Sequence, residues 1–184
     1  MRKCLFIMAL VSVTIYTANA QSLVKTKWYT LSEALELQKK SPRKILIDIY
    51  TDWCGWCKKM EASINDPSCS AYFQKSYVFV HLTVLERGDL KKTDNPGADT
   101  MFVKYAGKNA GIPFFLLFDK KGNLLADSQI RKEGEGLDKP GQNMGCPSAD
   151  DEVAAFVGIL KKTSKITDAE AAAVTERFKK NNVH

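Results

Sequence analysis

The residues in this chain with the plainest chemistry are Cys54-Gly55-Trp56-Cys57. A thiol is a nucleophile only as its thiolate, and a cysteine at a helix N-terminus gains from unpaired backbone N–H groups and the positive end of the helix dipole. Cys57, three residues on, falls within the first turn, where it can attack a mixed disulfide on Cys54 and resolve it. The spacing therefore encodes a two-step thiol exchange, with Cys54 attacking and Cys57 resolving. Zinc is the rival reading, but a zinc site needs two further ligands, and Cys69, Cys146, His81 and His184 are scattered singles. No metal is expected. A purely structural bridge is disfavoured as well, because closing so short a loop constrains the unfolded chain little.

Helical placement of the pair follows from its surroundings. Lys44 to Tyr50 is a short apolar, β-rich run of the kind buried on both faces in a parallel sheet, and its one acid, Asp48, is out of place by that logic. The run ends at Thr51-Asp52-Trp53. From Gly55 the period becomes helical, with Met60 and Ile64 on one face, until Asn65-Asp66-Pro67 breaks it.

The other elements are read in the same way. Trp28 to Leu31 is a short strand and Ser32 the N-cap of a helix over Glu33 to Lys40; Asp66 caps a second short helix with Pro67 at its first position, and a strand runs from Tyr77 to Leu85. Glu86 to Thr100 is a polar loop before a helix around Met101 to Tyr105. Phe114 to Phe118 and Asn123 to Ala126 form a hairpin about Asp119-Lys120-Lys121-Gly122. Asp127 to Pro147 is a long Gly-rich connection, either mobile or functional. A helix then opens at Ser148 with Val153, Phe156, Val157 and Leu160 on one face, and Thr167 with Glu170 forms a capping box for a last helix. This order gives an α/β fold, a central mixed sheet with helices on both faces.

With 184 residues, 45% hydrophobic, the chain suits one domain. Its first twenty residues stand apart: Arg2-Lys3, a nearly apolar stretch from Leu5 to Tyr16, then Ala18-Asn19-Ala20, the pattern of a secretory signal peptide cleaved before Gln21. The apolar run is shorter than the ~20 residues of a spanning helix, so no membrane insertion is expected after cleavage. Formal charge falls from +6 to +4 on cleavage, because two basic residues and no acidic one leave. The remaining charges are interspersed without a basic stripe, which excludes a nucleic-acid module. Residues 21–184 are read as one domain, with a core from about 28 to 162 and a helical extension over 163–184. Export to the periplasm or an equivalent oxidising compartment makes redox work the natural use of a close cysteine pair.

The stretch Ile47-Asp48-Ile49-Tyr50-Thr51-Asp52-Trp53-Cys54-Gly55-Trp56-Cys57-Lys58, with the later Lys104-Tyr105 and Gly111-Ile112-Pro113, resembles the thioredoxin family. Trp53 to Glu61 looks most like exported thioredoxin-like proteins and the C-terminal domain of the transmembrane thiol-disulfide interchange reductase. The resemblance spans about Trp28 to Leu160 in element order and implies a thioredoxin-like fold with an extra C-terminal helix. It implies catalytic roles for Cys54, Cys57 and Asp48, the last a buried carboxyl that handles the Cys57 proton. Trp53, Gly55, Trp56, Ile112 and Pro113 would form the substrate surface. Pro113 would be cis, and the Ile112 backbone would pair with an extended substrate.

The activity implied is thiol-disulfide exchange with exported protein thiols, reduction favoured, with no bound cofactor. Since nicotinamide is not available outside the cytoplasm, electrons would come from a membrane-bound donor. The alternative is a non-catalytic binding module using the Ile112-Pro113 edge, against which the intact cysteines count; nothing marks a thiol peroxidase.

Two departures from the family's pattern stand out. Gly55-Trp56 replaces the common Gly-Pro, which leaves the direction of transfer open, and Trp56 is bulky enough to narrow the groove. His81 takes the place of the usual lysine near the buried acid, either tuning Asp48 or serving as an ordinary half-buried strand histidine. Trp53 reads as a packing residue and a shield for the thiolate; Phe114, Phe115 and Phe118 read as core aromatics. Cys69 and Cys146 are expected to stay unpaired, at opposite ends of the sheet.

Overall fold

A computed structural model describes residues 25–107 and 110–182. The expected signal peptide, with Cys4, lies outside the described residues. Strand β1 (Trp28–Tyr29), helix α1 (Leu31–Lys39), strand β2 (Lys44–Tyr50), helices α2 (Gly55–Ile64) and α3 (Ser70–Ser76), and strand β3 (Tyr77–Thr83) come first in the chain. Helix α4 (Ala98–Ala106) leads to the hairpin β4 (Phe114–Phe118) and β5 (Leu124–Asp127). The short strands β6 (Gln129–Ile130) and β7 (Gln142–Asn143) and the helices α5 (Asp150–Thr163) and α6 (Asp168–Lys179) complete the order.

Five strands form one mixed sheet in the order β1-β3-β2-β4-β5. β1, β3 and β2 run parallel, while β4 and β5 are antiparallel to their neighbours. Central β2 is apolar on both sides because both faces are covered. Leu46, Phe79, Phe115 and Leu117 pack with Met60 and Ile64 of α2, Tyr72 and Phe73 of α3, and Phe156 of α5. On the other face, Ile45, Ile47, Ile49 and Val80 meet Ala34 of α1 and Phe102 of α4. This is the expected α/β architecture. Helix α6 joins the same core: Phe178 is fully buried with its ring 4.9 Å from that of Phe156.

Several boundaries differ from the sequence reading. Thr30, not Ser32, caps α1, because Thr30 and Glu33 make the reciprocal capping box. Asp66 caps no helix; its carboxylate accepts from Ser68 and pairs with Arg177 at 2.9 Å, so the chain turns there and α3 starts only at Ser70. Strand β3 ends at Thr83. The polar segment after it is ordered, with a 3₁₀ turn over Gly88–Thr93 and Asn95 joined to Thr83 by two hydrogen bonds. The long stretch after β5 is ordered too. Buried Asp127 forms a bidentate pair with Arg131 at 2.6 and 2.7 Å, and β6 pairs with β7.

Candidate active site

Cys54 is the N-cap of α2, and its sulfur accepts from the Cys57 backbone N–H at 3.1 Å. An apolar strand delivers the chain to the sheet edge, and Gly55 begins the helix at once. Cys54 and Cys57 are joined in a disulfide, with Cα atoms 5.3 Å apart. Cys54 is 6% exposed and Cys57 2%, so the expected difference in access is present but small. The Ile112–Pro113 peptide bond is cis, and the Ile112 carbonyl oxygen lies 3.8 Å from Cys54 Sγ. A groove of about 250 Å³ beside the pair is lined by Trp56, by Ile112 and Pro113, and by Asn143 to Cys146.

Trp53 is not the packing residue expected. It is 45% exposed; its indole N–H donates to the Leu85 carbonyl at 3.0 Å and the Arg87 guanidinium lies 3.9 Å from its ring centroid. The segment after β3 draws it outward, since Glu86 also accepts from the Asp52 N–H at 2.6 Å. Trp56 is equally exposed, with the Lys59 ammonium 4.2 Å from its ring. A Cβ at Gly55 would meet nothing within 4 Å, so the surface is open at that residue.

Asp48 is 1% exposed and shares with Leu46 the face of β2 that α2 covers. Cys57, Met60 and Ile64 form the buried stripe of α2, so Asp48 and Cys57 occupy one layer of the molecule. Neither carboxyl oxygen of Asp48 has a hydrogen-bond partner. Burial, with some help from Glu61, raises the carboxyl to about 7. Asp48 and His81 are paired residues of β2 and β3, and His81 Nε2 stands 3.6 Å from Asp48 Oδ2. Burial pushes this imidazole down to about 3. The pair is therefore an acid beside a neutral ring, not an ion pair.

Sequence reasoning missed Asn143. Its amide donates to the Gly111 carbonyl at 2.8 Å and the Pro113 carbonyl at 3.2 Å, and its oxygen accepts from Ser128 Oγ at 2.7 Å. A lone asparagine in a Gly-rich loop carries no signal of this. Cys69 and Cys146 are free and buried, with thiols pushed up to about 11 and about 12 by burial. They are not isolated from each other, as the element ends implied: Cys69 Sγ donates to the Ser63 carbonyl, and Asn181 donates to both Ser63 Oγ and Cys146 Sγ. No cluster of three or more metal-ligating side chains occurs among the described residues.

A mixed sheet that presents a bridged Cys-x-x-Cys at a helix start, opposite a cis-proline, defines the thioredoxin-like class. The chain belongs to that family: residues 27–120, more than half its length, match the thioredoxin-like family model. Among curated proteins it is similar to the thiol:disulfide interchange protein DsbD of Vibrio vulnificus, 27% identical over 101 residues, which are 54% of this chain and 15% of that protein. It is also similar to the disulfide bond reductase DsbH of Chlamydia pneumoniae, 32% identical over 104 residues, 54% of this chain and 60% of the relative. The chain thus spans less than two thirds of each. Among solved structures, a DsbH oxidoreductase superposes with a TM-score of 0.49 at 19% identity, covering 82% of this chain and 95% of the other.

Proposed function

We propose that this protein is an exported thiol-disulfide exchange enzyme that works on protein thiols through Cys54 and Cys57, in the reducing direction. The observation that carries the reading is the bridged pair at the start of α2, within reach of the Ile112 carbonyl and the open groove. In the reducing cycle the Cys54 thiolate attacks a substrate disulfide and displaces one substrate thiolate. Cys57 then gives its proton to Asp48, attacks Cys54 Sγ and releases the second substrate thiolate, leaving the Cys54–Cys57 disulfide.

Trp53, Gly55 and Trp56 would form one wall of the substrate surface, and Ile112 with Pro113 the other. The name of one relative, a thiol:disulfide interchange protein, supports exchange, and that of another, a disulfide bond reductase, supports the reducing direction. The signal pattern before Gln21 supports export, and export in turn supports a membrane-bound electron donor. No helix among the described residues is long and apolar enough to cross a membrane. The reduction potential of the Cys54–Cys57 couple, measured by equilibration with a thiol buffer, tests the direction. A value near the ~−270 mV of thioredoxin is expected; one near the ~−120 mV of DsbA would make the protein an oxidant.

A further inference from the structure

We propose that His81 is a positioning residue for Asp48, a neutral imidazole that carries the proton between the buried carboxyl and the surface. The inference rests on the exchange chemistry proposed above. Asp48 takes the Cys57 proton when the disulfide forms and gives one back when Cys57 is released on re-reduction. Any exchange of that proton with solvent in between needs a route, because Asp48 is 1% exposed and neither of its oxygens is hydrogen-bonded. Of its two sheet neighbours, Phe115 on β4 offers no polar atom, whereas His81 on β3 does. Glu61 on α2 and Cys146 before α5 are the other titratable groups felt across this layer besides the cysteine pair.

The position of His81 suits this task. Its ring is held between Trp28, with centroids 3.4 Å apart, and Tyr50, at 4.1 Å, so Nε2 keeps facing the carboxyl. A shift of a few tenths of an ångström closes the 3.6 Å separation to the ~3 Å of a hydrogen bond. The His81 side chain is 19% exposed, because β1 stops pairing with β3 at Tyr29 and Val80, one residue short of it. The proton then passes in two linked moves. Asp48 O–H gives its proton to Nε2 while the ring gives its Nδ1 proton to water, which restores the Asp48 carboxylate and leaves the imidazole neutral with its proton on Nε2. On re-reduction the moves run in reverse: Nε2 returns a proton to Asp48 for the released Cys57 thiolate while water supplies one to Nδ1, which resets the tautomer. The neutral ring also does not draw the burial-raised Asp48 carboxyl back down, as a cation at this position would.

The test compares, at pH 5 to 9, the stopped-flow resolution of the mixed disulfide by Cys57 in reduced protein mixed with oxidised glutathione with multiple-turnover reduction of the same disulfide, dithiothreitol re-reducing the protein. His81→Phe keeps the ring stack and is expected to slow multiple turnover about tenfold at pH 7 while leaving the single resolution step within about twofold. His81→Lys is expected to move the midpoint of the pH profile down by about one unit or more. Because His81 acts through Asp48, His81→Phe should cost less than about twofold in an Asp48→Asn background, well inside the general acid-base effect. An active wild type with His81 variants that leave rate and midpoint unmoved, or a full His81→Phe loss persisting on Asp48→Asn, would overturn the His81 role alone. A folded wild type that exchanges no disulfide would overturn the exchange reading and the His81 role together.

Discussion

Asn143 braces Pro113 from strand β7, thirty residues away: one side-chain amide spans the carbonyls of Gly111 and Pro113, on the two sides of the cis peptide bond. Ser128 and the Gly145 N–H bond the amide oxygen, so the amide has its orientation fixed. The stretch following β5 is thus part of the groove's architecture. Asn143→Ala removes these bonds and leaves two carbonyls, a hydroxyl and the Gly145 N–H without their partner. It should destabilise the fold by about 1–3 kcal/mol and weaken protein-disulfide turnover more than the reaction with a small disulfide. Denaturant melts and the two turnover rates check this.

Asp48 and His81 give the oxidised protein two opposed pH slopes. The Asp48 carboxyl is raised in the fold from 3.8 to about 7, so its contribution is present in acid and is lost as pH rises toward 7. The His81 ring is lowered from 6.5 to about 3, so its contribution is present above 6.5 and is lost as pH falls toward 3. In the wild type the slopes oppose each other between these limits. Asp48→Asn should therefore lose stability on acidification and His81→Phe on neutralisation, the full Asp48 swing being on the order of 4 kcal/mol. Melting curves from pH 4 to 7.5 read both signs; parallel curves for the two variants would contradict the assignment.

Asp48→Asn also tests proton handling in the reaction. Losing the carboxyl removes the group that accepts the Cys57 proton, and disulfide-reduction turnover near pH 7 should fall roughly 10²-fold with the fold intact. Attack by Cys54 on a substrate disulfide should be far less affected. Unchanged reduction rates from pH 6 to 9 would make Asp48 a tolerated core acid.

The site was legible where local chemistry and chain position coincide. Cys54 and Cys57 at the end of an apolar strand could be read directly; Asp48 stood out as the one acid in that strand, and its proposed role came from the family resemblance. The cis state of Ile112–Pro113 came from family resemblance, and the structure has it cis. The contact between His81 and Asp48 depended on the register of β2 and β3, for which a gapless alignment sufficed. Asn143 and the outward turn of Trp53 were not legible, because both follow from loops whose paths are set by tertiary hydrogen bonds such as Asp52 to Glu86 and not by periodicity. The Thr30–Glu33 spacing of a capping box was legible in the sequence, beside the competing hydroxyl of Ser32, and the hydrogen bonds of the fold select Thr30.

The central claim is that Cys54 attacks and Cys57 resolves. Cys54 caps α2 beside the groove and the Ile112 carbonyl, while Cys57 is turned into the buried layer that holds Asp48. The decisive measurement is a non-reducing gel of exported extracts carrying each single cysteine variant, with mass spectrometry of the adducts. Cys57→Ser should accumulate partners as mixed disulfides on Cys54, and Cys54→Ser should trap few and lose activity almost entirely. Equal adducts on both variants, or none on a folded Cys57→Ser protein, would contradict the account.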